Sequence, residues 1–141
     1  MAQINTGKVI AGGLAGGLVL NIVDFLVNGV WLADKWTAQT AKLNPSLNMM
    51  ASSSIAYYVV TDFLLGIVIV WLYAGIRPRF GPGSATAMKA AITVWIPVAL
   101  VNANLAVSGM YGPKIIALSC AFTLVGMLAG GYVGAMMYKE E

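Results

Sequence analysis

The sequence predicts an all-α, polytopic membrane protein: a bundle of four transmembrane helices with both termini cytoplasmic, built as one integral membrane domain over residues 1–141. Three observations predict it. Hydrophobic residues make up 60% of the chain and charged residues 9%, with a mean hydropathy of +0.83; a soluble domain carries about 25% charged residues. Four apolar stretches are each long enough to cross about 30 Å of hydrocarbon as a helix. Two aspartates, Asp24 and Asp62, fall inside these stretches, and an acid at membrane depth is a functional-site hypothesis by default.

The first span covers residues 9–32. Lys8 precedes it, as in a secretion signal, but a signal core runs to only about 7–15 residues and ends at a small-x-small cleavage site, so the run is expected to stay as a helix. At 100° per residue, Gly13, Gly17, Asn21, Asp24 and Asn28 fall within an arc of roughly 80°. The opposite face carries Ala15, Val19, Ile22, Leu26 and Val30, which suit lipid. In the connection that follows, Trp36, Leu43, Leu47 and Met50 recur at near-helical spacing, which predicts a short interfacial helix within residues 34–53, interrupted at Asn44-Pro45.

The second span covers residues 55–76, with Tyr58, Asp62, Gly66, Ile69 and Tyr73 on one arc. The breaker cluster Arg77-Pro78-Arg79-Phe80-Gly81-Pro82-Gly83 closes it. Arg77 and Arg79 lack the strand-to-helix setting of a phosphate loop and are expected to anchor the chain to anionic headgroups. In the third span, residues 88–109, Thr93, Pro97, Asn104 and Ser108 align, while Asn102 points the other way with Trp95. Pro97 removes one helical hydrogen bond and frees the carbonyl of Thr93, predicting a bend. The fourth span, residues 115–138, puts Ser119, Thr123, Gly126, Gly130 and Gly134 on one face.

Small residues let helix backbones approach closely, which in lipid takes the place of a hydrophobic driving force. Gly13, Gly17, Gly66, Gly126, Gly130 and Gly134 are the expected packing positions, several at GxxxG-like spacing. Because consecutive spans run in opposite directions, Asp24 and Asp62 come to nearly the same depth, about 10–12 Å below the outer ends of their helices. Asn21, Asn28, Asn104 and Thr123 fall close to that level, predicting a polar intramembrane layer. Lys8, Arg77, Arg79, Lys89 and Lys139 lie on the side of the termini, against Lys35, Lys42 and Lys114 on the other, which by the positive-inside rule places both termini in the cytoplasm.

The chain has no histidine and one cysteine, Cys120. These counts exclude an intrachain disulfide and histidine-ligated haem, so no metal and no cofactor is expected. Cys120 has no histidine partner for thiol chemistry, and the chain is not expected to be an enzyme. The scattered basic residues suit the lipid bilayer rather than nucleic acid. Three roles fit the polar layer. A neutral carboxyl can lock helix register through hydrogen bonds, paired carboxyls can bind a proton or cation, or the acid can meet a basic residue on another chain. The first and third together favour a non-enzymatic accessory or assembly subunit of a membrane complex, partnered by copies of itself or by other membrane subunits. The alternative is a small oligomeric proton- or cation-coupled transporter or channel.

Ile4-Asn5-Thr6-Gly7-Lys8, the Asn21…Asp24…Asn28-Gly29 pattern and the segment from Ala74 through Gly83 resemble uncharacterised four-helix bacterial integral membrane proteins. The resemblance spans most of the chain and implies a multi-pass protein of a bacterial-type inner membrane, with no activity attached. A looser likeness is to small multidrug-resistance transporters, which have four helices, an essential acid in the first and a dimeric site. Helix count and the placing of Asp24 match; those proteins use a glutamate, and Asp62 has no counterpart among them.

Overall fold

A computed structural model describes residues 3–139. Its helices run α1 (Thr6–Asp24), continued without a break by a π-helical segment (Phe25–Trp31), then α2 (Ala33–Leu43), α3 (Ser52–Phe80), α4 (Ser84–Val107) and α5 (Pro113–Met137). Four of these stretches are long and apolar enough to cross a membrane: Thr6–Trp31, Ser52–Phe80, Ser84–Val107 and Pro113–Met137. The short α2 ends at Asn44, in the interfacial stretch expected from its spacing.

Local chemistry sets the ends. Asn5 caps α1, its Oδ1 accepting the Lys8 N–H at 3.0 Å. Pro113 opens α5 at a position whose missing N–H would have had no helical partner. Gly109 ends the α4 turn at φ 75°, a left-handed conformation that glycine adopts without a steric penalty. The second span extends further than the sequence suggests. Arg77, Pro78 and Arg79 form the last turn of α3 rather than a loop, because proline's fixed φ is helical and it removes a single bond near the helix end. Chain reversal waits until Gly81, at φ 80°.

α1 packs along both α3 and α5, and α4 closes the ring by packing against α5 and α3. Two glycine rows on α1 make this approach close. Gly12 and Gly16 meet Gly134 and Gly130 of α5, backbone to backbone, while Gly13 and Gly17 meet α3 around Gly66. A methyl group built on Gly12 would sit 2.6 Å from the Gly134 carbonyl oxygen, and one on Gly17 2.7 Å from the Phe63 Cα. Gly126 lies under Leu20, whose Cδ1 would be 2.8 Å from such a methyl. Leu20, Ile69, Val70 and Met127 fill the centre of the bundle.

The outward surface is apolar. Leu14, Leu18, Ile22, Leu26 and Val30 of the first span are exposed, as are Leu64, Val68 and Trp71 of α3. Ala15 and Val19, expected among the outward residues, are half-buried, because the outer row begins one position earlier, at Ile10 and Leu14.

The phase of α4 also differs from the expected one. Thr93, Pro97, Asn104 and Ser108 face outward, while Ala87, Ala90 and Ala91 are buried. Alanines let α4 approach the glycine ridge of α5: a methyl on Gly131 would lie 3.2 Å from the Ala91 Cβ. Close backbone approach outweighed the pull of the polar row, and the inner face continues through Trp95 and Val98 to Asn102.

Candidate functional site

The end of the bundle that carries α2 holds a cavity of about 400 Å³. Five of the six polar residues singled out from the sequence line it: Asn21, Asp24 and Asn28 from the first span, Asp62 from α3 and Thr123 from α5. Asn104 does not; it sits on the exposed face of α4, and Asn102 takes its place in the lining. The signal for Asn102 was its pairing with Trp95 on the alanine side of α4. Among the described residues, no lysine or arginine borders the cavity.

The first span orients its polar groups through a relay. Trp36 Nε1 donates to Asn28 Oδ1 at 3.0 Å, and Asn28 Nδ2 donates to Asp24 Oδ1 at 2.7 Å. The indole fixes which end of the Asn28 amide faces the carboxyl, since an N–H can only meet the amide oxygen. The relay spans the start of the π-helical segment, where the Leu32 N–H reaches back five residues to the Val27 carbonyl at 2.8 Å. Such segments widen a helical turn and recur at functional sites. Asn21 Nδ2 donates both to Gly17 O at 3.0 Å and to Val59 O at 3.2 Å, tying α1 to α3 beside the cavity.

Asp62 is placed differently. The residue is 9% exposed, and among the described residues no hydrogen bond reaches its carboxyl. It faces a wall rich in aromatic rings: Tyr58, Trp95, Trp36 and Tyr111. Trp95 is held by its indole N–H, which donates to the Cys120 carbonyl at 2.9 Å. Cys120 itself lines the cavity as a half-buried free thiol.

The outer side of the cavity is covered by Trp36 of α2, Met49 and Met50 of the following loop, and Tyr111 between α4 and α5. These pieces are tied together. The Gly112 N–H donates to Gln39 Oε1 at 2.7 Å, and the Trp36 and Tyr111 rings meet edge to face at 5.2 Å. The Thr40 hydroxyl lies 2.9 Å from Met49 Sδ and 3.2 Å from the Tyr111 hydroxyl. α2 is thus strapped across the mouth of the bundle.

The predicted headgroup residues lie at the opposite end, where the termini emerge. Arg77 is half-buried against the Tyr138 ring, 5.9 Å from its centroid, and Arg79 is exposed. No group of three or more metal-ligating His, Cys, Asp or Glu side chains occurs among the described residues. Comparison with protein-family models, with curated proteins and with solved structures returned no match.

Proposed function

We propose that this chain is a small multi-pass membrane protein that binds a cation between Asp24 and Asp62 and moves it, as a proton- or cation-coupled transporter or channel of a bacterial-type inner membrane. The observation that carries this is the cavity itself: among the described residues, two carboxyl side chains line it and no basic side chain does. A carboxylate removed from water is strongly disfavoured without a counter-charge, so a cation from solution is the natural partner. The aromatic lining adds ring faces that attract an organic cation as well.

Flux in reconstituted vesicles tests the proposal. Asp24→Asn and Asp62→Asn keep side-chain volume and remove the titratable charge. Both variants should fold and abolish proton- or cation-dependent flux. Wild-type flux that survives both substitutions, or no flux of protons, alkali cations or lipophilic amines in the wild type, overturns the transport reading.

The accessory or assembly subunit is the second reading, favoured by one observation. In the most apolar stretch of the span Ser84–Val107 only 11% of the residues are buried, against 33% in each of the other three, and the helix carries Thr93, Pro97 and Asn104 on its open face. A helix of another subunit or a second copy could cover that face. Gentle purification from the native membrane tests it: a stoichiometric complex with a different protein supports the subunit, and a homodimer supports the transporter.

A further inference from the structure

We propose that the ligand of the carboxyl-lined cavity is a protonated amine carrying an aromatic or apolar body, which rests on the reading of that cavity as a cation site and narrows it to one chemical class. The cavity holds about 400 Å³, within the range of sites that take small organic molecules. Phe25, Trp36, Tyr58, Trp95 and Tyr111 contribute rings to its wall, and Met49 and Met50 cover its outer side. A metal cation that sheds its water needs a shell of oxygens closed around it. A chamber of this volume, walled largely by rings and thioethers, does not close one. The flexible thioethers instead adapt to organic bodies of different shape.

The polar groups of the lining select a head that carries N–H donors. Asp62 is 9% exposed, and among the described residues no hydrogen bond reaches its carboxyl. A buried acceptor left unused costs stability, so this carboxyl is poised for a donor from outside. Asp24 has one oxygen engaged by the Asn28 N–H at 2.7 Å and a second left to accept. Asn102 Nδ2 donates to the Val98 carbonyl at 2.9 Å, which leaves its Oδ1 as a further acceptor on the lining. A primary alkylammonium offers three donors to such a set, whereas a quaternary ammonium offers none.

The rings receive the body. Both indoles have their N–H groups committed elsewhere: Trp36 Nε1 to Asn28 Oδ1 at 3.0 Å, and Trp95 Nε1 to the Cys120 carbonyl at 2.9 Å. Each bond fixes the orientation of its ring. What remains for an occupant is apolar surface and a π face that attracts cations. A neutral apolar molecule would leave the Asp62 carboxyl without a partner, and a small hydrophilic cation would leave the rings uncovered. A charged amine with an aromatic body satisfies both.

Titration calorimetry on the full chain in detergent, with 2-phenylethylamine as the probe at about pH 7, measures binding, and flux is read separately in vesicles. The amine should bind saturably. Phenyltrimethylammonium, 2-phenylethanol, sodium and potassium should each bind at least about tenfold more weakly, since each lacks the N–H donors, the charge or the ring. Asp62→Asn should weaken the amine by a similar factor. Trp95→Leu should weaken it about two- to thirtyfold, and Trp95→Phe, which loses the same indole bond but keeps a ring, should recover most of that loss. Absence of amine binding, equal binding of phenyltrimethylammonium or 2-phenylethanol, or equal losses in the two Trp95 variants overturns the proposal. Flux of protons or alkali cations in a protein that does not bind the amine removes this ligand class and leaves the transport reading standing. Amine binding without flux of any cation supports the ligand class and overturns transport.

Discussion

At the scale of single residues, the two aspartates share one cavity but differ in what holds them. Asp24 accepts a 2.7 Å bond from Asn28, itself fixed by Trp36, whereas no hydrogen bond reaches the Asp62 carboxyl among the described residues. Their replacement by leucine should therefore act in opposite directions on stability. Asp24→Leu strands the Asn28 amide in an enclosed site, and leaving a buried donor unsatisfied costs about 1–3 kcal/mol. Asp62→Leu removes a poorly satisfied polar group from the interior and should raise the unfolding temperature while eliminating flux. Stability given up at one residue is the expected mark of a functional position rather than a structural one. Thermal unfolding of the two purified variants checks this, and a loss of stability in both would make Asp62 a structural hydrogen-bonder. Asn28→Ala should destabilise to a similar degree as Asp24→Leu, because it breaks the same relay from its middle. The double variant should then lose less than the sum of the two.

At the scale of helices, the glycine rows decide which elements touch. A methyl on Gly16 would run into the backbone of Gly130, while a methyl on Gly75 meets nothing within 4 Å. Gly16→Ala should therefore lower stability by about 1–3 kcal/mol or more through overpacking. Gly75→Ala should be neutral or gain about 0.5–1 kcal/mol through restored helix propensity. Both are helical glycines in apolar sequence, so composition does not separate them, and unfolding measurements on the pair do. The face of the first span was legible for the same reason that makes Gly16 sensitive: glycines and polar residues fall on one side and bulky apolar ones on the other. On α4 two criteria conflicted, since its hydroxyl, proline and amide row opposes its alanine row. Periodicity alone cannot rank close approach above polarity, and the neighbour that decides it, Gly131 of α5, is distant in sequence. The strap over the cavity was likewise invisible, because the Gln39–Gly112 bond joins segments 73 residues apart. Cys120, the single thiol, lines the chamber under that strap and reports on it. Gln39→Ala should raise the rate of Cys120 alkylation by a water-soluble maleimide several-fold. An unchanged rate would mean that α2 does not limit entry.

At the scale of the whole molecule, the two ends of the bundle are chemically opposite. The α2 end holds an aromatic chamber lined by two carboxyls, and the other end holds a cavity bordered by Arg77 and Lys139. Between them the almost completely buried Leu20, Ile69, Val70 and Met127 form an apolar layer across the centre of the bundle. Net movement of a cation from the carboxyl-lined cavity therefore requires the helices to shift, or a path along the surface that a second copy would enclose. The least buried of the four spans, α4, is the natural place for that second copy to sit. The proposed orientation rests on charge. Lys8, Arg77, Arg79, Lys89 and Lys139 belong to the stretches on the side of the termini, against Lys35, Lys42 and Lys114 on the other, and acidic residues weigh little in this rule. On the proposed reading, the positive-inside rule puts the carboxyl-lined chamber in the outer half of the membrane, facing periplasmic cations. Reporter fusions after Gly83 and after Lys139 should both read as cytoplasmic, and one inserted between Thr37 and Lys42 should read as periplasmic. The reverse pattern at all three positions would keep the four spans but turn the chamber to face the cytoplasm, where a coupled cation would be released rather than captured. Fusions after Gly83 and Lys139 that report opposite sides would imply an odd number of crossings between them, which α4 and α5 as two complete spans do not allow.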